Sequence, residues 1–145
     1  MKTVFEERTS LMASAEIHVR FSEVDSMNIA WHGNYAHYFE DAREVFGEKY
    51  KIGFHDILKA GFGAPLVELS FSYKKPLLYG QKARVDVFYK NTNAAKVILE
   101  YEIRSIDNDA LIATGRSVQV FTDAQNQLIL INPEFYLEWK KRNGL

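Results

Sequence analysis

Phe21-Ser22-Glu23-Val24-Asp25-Ser26-Met27-Asn28-Ile29-Ala30-Trp31-His32-Gly33-Asn34-Tyr35 joins an alternating segment to a long amphipathic one, and its chemistry-bearing side chains are Asp25 and His32. A helix that starts near Asn34 presents unpaired backbone N–H groups and a partial positive charge at its first turn. Such an end stabilises a developing oxyanion. A carboxylate held beside it, here Asp25, is placed to attack a carbonyl or to take a proton from water. This is a minimal apparatus for acyl transfer. An Asp in a loop ahead of a helix also serves as a turn or cap residue, so these residues alone leave both roles open. His32 has two readings as well. Its ring could orient water or substrate, or its backbone alone could matter.

Other chemistries find less support. His32 and His37 sit about 140° apart on a helix, so they do not form the one-face pair of a zinc site. His18 and His55 have no ligand-like neighbours, and no metal is expected. Glu40 and Arg43 lie one helical turn apart and read as a structural or interface ion pair. No Gly-rich phosphate loop, Ser-centred nucleophile elbow or dinucleotide fingerprint is present.

The elements that must position Asp25 follow from periodicity. Glu16 to Phe21 alternates as a short strand with Ile17, Val19 and Phe21 on one face. A polar loop runs to Gly33. Tyr35, Tyr38, Phe39, Ala42, Val45, Phe46 and Lys49 then recur at helical spacing, with Asn34 as cap, acidic residues in the early turns and Gly53 as the stop. A short helical piece covers His55 to Ala60. Beyond Gly63 the period becomes two: Val67 to Tyr73, Ala83 to Tyr89, Val97 to Ile103 and Ala110 to Phe121 read as strands. Short turns at Leu78–Gln81, Asn91–Ala94 and Asp107–Asp109 predict an antiparallel meander. Asn132-Pro133-Glu134 opens a terminal helix, with Asn as cap and Pro at the first position. The order β-α-β-β-β-β-α implies an α+β fold with a sheet curled around one long helix. Such a single layer leaves sheet edges open, and pairing in a dimer would close one.

Bulk properties bound the rest. The chain has 145 residues, suiting one domain over residues 1–145, with 47% hydrophobic and 26% charged residues. Net charge is −1, from 18 basic and 19 acidic residues without a basic tail, so no nucleic-acid partner is expected. Cysteine is absent, which excludes disulfides and thiolate metal sites. No stretch reaches the ~20 apolar residues of a membrane span. Met1 to Ser14 lacks the apolar core of a signal peptide, so a soluble cytoplasmic protein is expected.

The loop and its helix resemble the 4-hydroxybenzoyl-CoA thioesterase family of hotdog-fold proteins, including its short-chain acyl-CoA branch. The matches are Asp25, Trp31-His32, Asn34-Tyr35 and Glu40-Asp41-Ala42-Arg43, with weaker ones at Tyr73-Lys74-Lys75-Pro76, Tyr79-Gly80 and Tyr101-Glu102-Ile103. The resemblance implies a hotdog fold and hydrolysis of an acyl-CoA thioester by a homodimer or a tetramer of dimers, with active sites at the dimer interface. It implies Asp25 as nucleophile or general base and the backbone N–H of His32 or its neighbour as the group polarising the thioester carbonyl. It places Trp31, Asn34 and Tyr35 against substrate. No cofactor is implied, coenzyme A being part of the substrate. Its phosphates require cations; of Lys74, Lys75, Lys90, Lys96 and Arg116, the pair flanking the Asn91–Ala94 turn, Lys90 and Lys96, is ranked first. One departure stands out: the family often has Gly two or three residues after the Asp, where this chain has Met27 and Asn28. Asn tolerates left-handed backbone better than most residues, so the turn is expected to survive. Two other functions remain compatible: a thioesterase acting on acyl carrier protein, and a non-catalytic acyl-thioester binder.

Overall fold

Tyr35, Tyr38, Phe39, Ala42 and Phe46 make the buried face of helix α1 (Tyr35–Tyr50), and they bury it against one side of a curved antiparallel sheet. The computed structural model describes residues 5–145; residues 1–4, part of the stretch read for a leader, lie outside the described residues. The remaining elements are β1 (Glu6–His18), α2 (Phe54–Lys59), β2 (Leu66–Tyr73), β3 (Lys82–Thr92), β4 (Lys96–Ser105), β5 (Leu111–Thr122), β6 (Leu128–Ile129) and α3 (Glu134–Arg142). This is the hotdog arrangement expected of the sequence, with the sheet wrapped on α1.

Helix and sheet meet at an aromatic contact. The Phe39 ring stacks on Tyr101 at 4.6 Å and on Phe71 at 5.3 Å. Gly115 of β5 lies directly beneath it, where a Cβ would collide with the Phe39 ring. Around this point Val85, Val87, Tyr89, Leu99 and Ile103 are shut off from solvent. Their alternation is the period-two pattern of the sequence.

The strand order is β1-β3-β4-β5-β2, with β6 on β5. The meander is therefore correct for β3, β4 and β5 but not for the Leu78–Gln81 turn. β2 pairs with β5, and β3 pairs with β1 and β4. The 74–81 connection is a crossing ribbon rather than a hairpin, because its backbone groups bond the loop ahead of α1: Val19 N–H donates to Gln81 O at 2.9 Å and Ala30 N–H to Leu77 O at 2.7 Å. β1 begins ten residues before the expected Glu16, at Glu6. Its outer side chains carry charge, so hydropathy alone does not mark it. Phe21 leaves the strand and is 78% exposed in a 3₁₀ turn, Phe21–Glu23.

The ends of the helices differ from expectation in local detail. Lys51, with φ 60°, ends α1 in left-handed backbone, and Gly53 instead precedes α2. The first turn of α1 holds no acidic residue, and Lys49 is exposed. Pro133 rather than Asn132 caps α3; the Asn132 amide donates to Asn93 O at 3.2 Å.

The outer face of the sheet is a network of ion pairs. Arg8 bridges Glu100 and Glu102, Arg104 pairs with Glu102, and Arg116 pairs with Glu6. Hydrogen bonding to Arg116 holds the Glu6 carboxyl below its usual range. At Glu102 burial acts upward, and the bonds from Arg104 and Arg8 outweigh it to give a lowered value. Inside, burial pushes Tyr89 and Tyr101 up to about 12, against the bonds to Tyr136 and Ser117. The depressed carboxylates contribute stability above the ordinary carboxylate value of about 4.3 and lose it as pH falls through their folded values. The raised phenols favour the native state below about 10, and that advantage is lost as pH rises toward 12. Thermal midpoints measured against pH are expected to fall on both flanks, and Glu102→Gln is expected to flatten the acid one. Phe39→Ala is expected to cost about 3–5 kcal/mol in urea unfolding.

Candidate active site

The loop from Arg20 to Asn34 folds as a narrow two-sided ladder. Trp31 N–H donates to Glu23 O at 2.8 Å, Val24 and Ala30 form a bridge, and Asp25 N–H donates to Ile29 O at 2.9 Å. Asn28 closes the tip, its N–H donating to Asp25 O at 3.0 Å and its φ at 62°. The left-handed residue that family members often supply as Gly is thus supplied by Asn28, as expected of its side chain.

Asp25 is half-buried at this tip. One carboxylate oxygen, Oδ1, accepts the Met27 N–H at 2.8 Å. Among the described residues no donor reaches Oδ2, so a basic oxygen remains available. The turn reading of Asp25 is therefore realised together with a free lone pair, and the two roles are not exclusive.

The helix start is built differently from expectation. A 3₁₀ turn, His32–Asn34, precedes α1, and its first internal bond runs from Asn34 N–H to Trp31 O at 2.9 Å. The N–H groups of His32 and Gly33 come before that bond and have no partner within the turn. Asn34 does not cap α1. Its Nδ2 donates to Glu23 O at 2.6 Å, tying the helix start to the loop that carries Asp25. Gly33 lies under the Trp31 ring, where a Cβ would collide with it.

The other expected site residues divide. Trp31 is 51% exposed and packs on the His32 ring at 5.0 Å, beside the loop. Tyr35 is 4% exposed and packs on Tyr38 and on Tyr73 at 4.8 Å, so its ring belongs to the core rather than to a substrate surface. Lys90 sits on the outer face between Glu6 at 3.5 Å and Glu100 at 3.7 Å. Lys96 pairs across from Val120. The ribbon beside Asp25 enters β3 at Lys82, so Lys90 stands about 26 Å further along the strand. The structure does not bring Lys90 or Lys96 to Asp25 within one chain.

Three residues outside that set shape the loop. The Glu23 carboxylate accepts the Arg20 N–H at 2.8 Å and the Tyr38 hydroxyl at 3.3 Å. Burial and the adjacent Glu23 charge push the Tyr38 phenol far above its usual value, keeping it a donor. Tyr73 donates its hydroxyl to His32 O at 3.3 Å. The spacing of Glu23 three residues after Arg20 was the available signal for the first contact; the other two are long-range. Among the described residues no three His, Asp or Glu side chains form a metal-holding group. A groove of about 650 Å³ lies elsewhere, between the later turns of α1 and α2, and is lined by Glu40, Glu44, Glu48, Phe54, Leu58 and Phe62 among others.

Residues 19–139 match the family model described as the thioesterase-like superfamily. The chain belongs to that superfamily. It is 35% identical over 92 residues to a Bacillus subtilis protein named "Putative acyl-CoA thioesterase YneP", covering 63% of this chain and 67% of that one. It is 26% identical over 108 residues to a chloroplastic acyl-acyl carrier protein thioesterase of Arabidopsis thaliana, covering 74% of this chain and 57% of that protein. Among solved structures, a DHNA-CoA thioesterase from Staphylococcus aureus superposes with a TM-score of 0.80 at 26% identity, over 92% of this chain and 91% of that one.

Asn34→Ala is expected to cost about 1 kcal/mol of stability and to lower kcat more than it raises KM, because it releases the His32–Gly33 turn from the Asp25 loop. Denaturant unfolding with steady-state kinetics checks both effects.

Proposed function

We propose that this protein hydrolyses an acyl-CoA thioester at Asp25. Membership of the thioesterase-like superfamily makes the chain a thioester hydrolase of the hotdog fold. The observation that carries the site is the joint placement of a carboxylate with a free oxygen and two unpaired N–H groups on one rigid loop, with no Ser or Cys nucleophile needed. The B. subtilis and S. aureus relatives, both named for CoA thioesters, support coenzyme A as the carrier. The loop motif favours the 4-hydroxybenzoyl-CoA branch within the superfamily.

In this reading the substrate carbonyl oxygen faces the His32 and Gly33 N–H groups. Asp25 Oδ2 takes a proton from a water whose oxygen attacks the carbonyl carbon, or attacks that carbon itself to form a mixed anhydride that water then cleaves. The N–H groups stabilise the tetrahedral oxyanion. The C–S bond breaks as the carbonyl re-forms, and the thiolate of coenzyme A leaves with its electron pair and takes up a proton. The role of His32 in this scheme is its backbone; its ring packs on Trp31.

A second subunit belongs to the proposal. The large groove beside α1 contains no part of the Asp25 loop. β2 is an open edge, paired only with β5, and Val67 on it is 59% exposed. Antiparallel pairing of two β2 edges in a homodimer would bring the α1 helices side by side and a groove beside the partner's loop. The chain is taken as one hotdog unit over residues 1–145, working in the cytoplasm; among the described residues no helix is long and apolar enough to cross a membrane. The plant relative gives one specific observation for a second carrier, acyl carrier protein.

Asp25→Asn is expected to lower turnover at least about 10²-fold across aromatic, short and long acyl-CoA substrates, with an unchanged thermal midpoint. Full activity in that variant removes Asp25 from the mechanism. Trapping by hydroxylamine in a single turnover separates the two routes: an Asp25 hydroxamate or an excess of acyl hydroxamate over the uncatalysed rate forms only through the mixed anhydride, and label from ¹⁸O-water found in the Asp25 carboxylate likewise marks it as the nucleophile. Rates on matched CoA and carrier-protein thioesters decide the carrier.

A further inference from the structure

Two sets of cations on the sheet and the ribbon beside it differ in their partners. Those on the outer face of the sheet are neutralised: Arg8, Lys90, Arg104 and Arg116 each contact Glu6, Glu68, Glu100 or Glu102. Those on the crossing ribbon are not. Lys74, Lys75 and Lys82 are exposed and form no ion pair among the described residues. The ribbon Tyr73-Lys74-Lys75-Pro76-Leu77-Leu78-Tyr79-Gly80-Gln81-Lys82 contains no Asp or Glu.

This ribbon is bonded along the Asp25 loop. Tyr73 holds His32 O at one end, Tyr79 N–H donates to Asn28 O at 3.3 Å in the middle, and Gly80 N–H donates to Val19 O at 2.9 Å at the other. Between the lysines, Tyr79 meets Phe21 edge to face at 5.8 Å. Phe21 is 78% and Tyr79 52% exposed. An aromatic surface left in water and flanked by unpaired cations matches a ligand with a planar base and several phosphates.

We propose that the Phe21–Tyr79 pair with Lys74, Lys75 and Lys82 is the subsite for the adenosine bisphosphate end of coenzyme A. The aromatic pair receives the adenine, and the lysines receive the 3′-phosphate and the diphosphate. The inference rests on the acyl-CoA reading and deepens it. It replaces Lys90, which Glu6 and Glu100 neutralise, and Lys96, which stands opposite Val120 away from the ribbon.

Calorimetric titration of the full chain with adenosine 3′,5′-bisphosphate and with coenzyme A tests it without any turnover. The Lys74→Glu/Lys75→Glu double variant is expected to weaken both affinities at least about tenfold, and Lys82→Glu and Phe21→Ala/Tyr79→Ala are expected to weaken them in the same direction. Lys141→Glu, on the far helix α3, serves as the surface-charge control and leaves them unchanged. KM for acyl-CoA should rise with the loss of affinity, while an acyl-pantetheine thioester lacking the nucleotide is affected much less. Unchanged affinity in the lysine double variant overturns the subsite even if hydrolysis of acyl-CoA is intact. So does a wild-type chain that ignores the bisphosphate while the same reversals abolish binding of an acidic acyl carrier protein. Bisphosphate binding lost as expected in a chain that hydrolyses no thioester upholds the subsite and overturns the catalytic reading instead.

Discussion

The seat of the Phe39 ring on Gly115 of β5 is the contact on which the rest of the molecule depends. Phe39 occupies the space that a side chain at position 115 would fill, and it stacks on Tyr101 and Phe71 on either side of that gap. The helix axis is thereby fixed relative to the sheet. Once the axis is fixed, so is the point where the helix begins, and the His32–Asn34 turn sits at one end of the sheet beside the entry to β3. A side chain at 115 would lift the helix from the sheet and displace the turn with it. Packing deep in the core therefore sets the geometry of a loop at the surface.

Around that loop, main-chain bonds do most of the positioning. The Glu23 carbonyl receives both the Trp31 N–H and the Asn34 amide. Two donors on one carbonyl join the Asp25 side of the ladder to the helix side, so the carboxylate and the orphan N–H groups move as one body. The proposed oxyanion site would use such preorganisation, since donors fixed in advance need no rearrangement during a reaction. Side chains support it from behind: Tyr38 holds the Glu23 carboxylate and Tyr73 holds the His32 carbonyl.

Charge is divided between the two surfaces. The outer face satisfies its own cations across neighbouring strands, where opposite charges stand side by side on β1, β3, β4 and β5. The ribbon beside the loop keeps its lysines unpaired and its aromatic rings wet. A self-neutralised network has little field left for a ligand, whereas isolated cations beside an apolar surface have both attraction and a place to seat a base.

The sequence by itself determined the element types and the identity of the loop. The three-and-four spacing from Tyr35 to Phe46 and the period-two runs of β3, β4 and β5 each state one buried face, and burial of that face is a local property of the pattern. The left-handed turn at Asn28 was legible for the same reason, since turn chemistry acts over a few residues. Tertiary structure alone decided the partners. The crossing of 74–81 from β2 at one edge to β3, the amide of Asn34 on Glu23 rather than on its own helix, and the neutralisation of Lys90 by Glu6 and Glu100 all join residues whose separation along the chain carries no spacing signal. Pairing of that kind is set by which strands lie adjacent and which side chains the closed sheet brings together, and no local pattern encodes it.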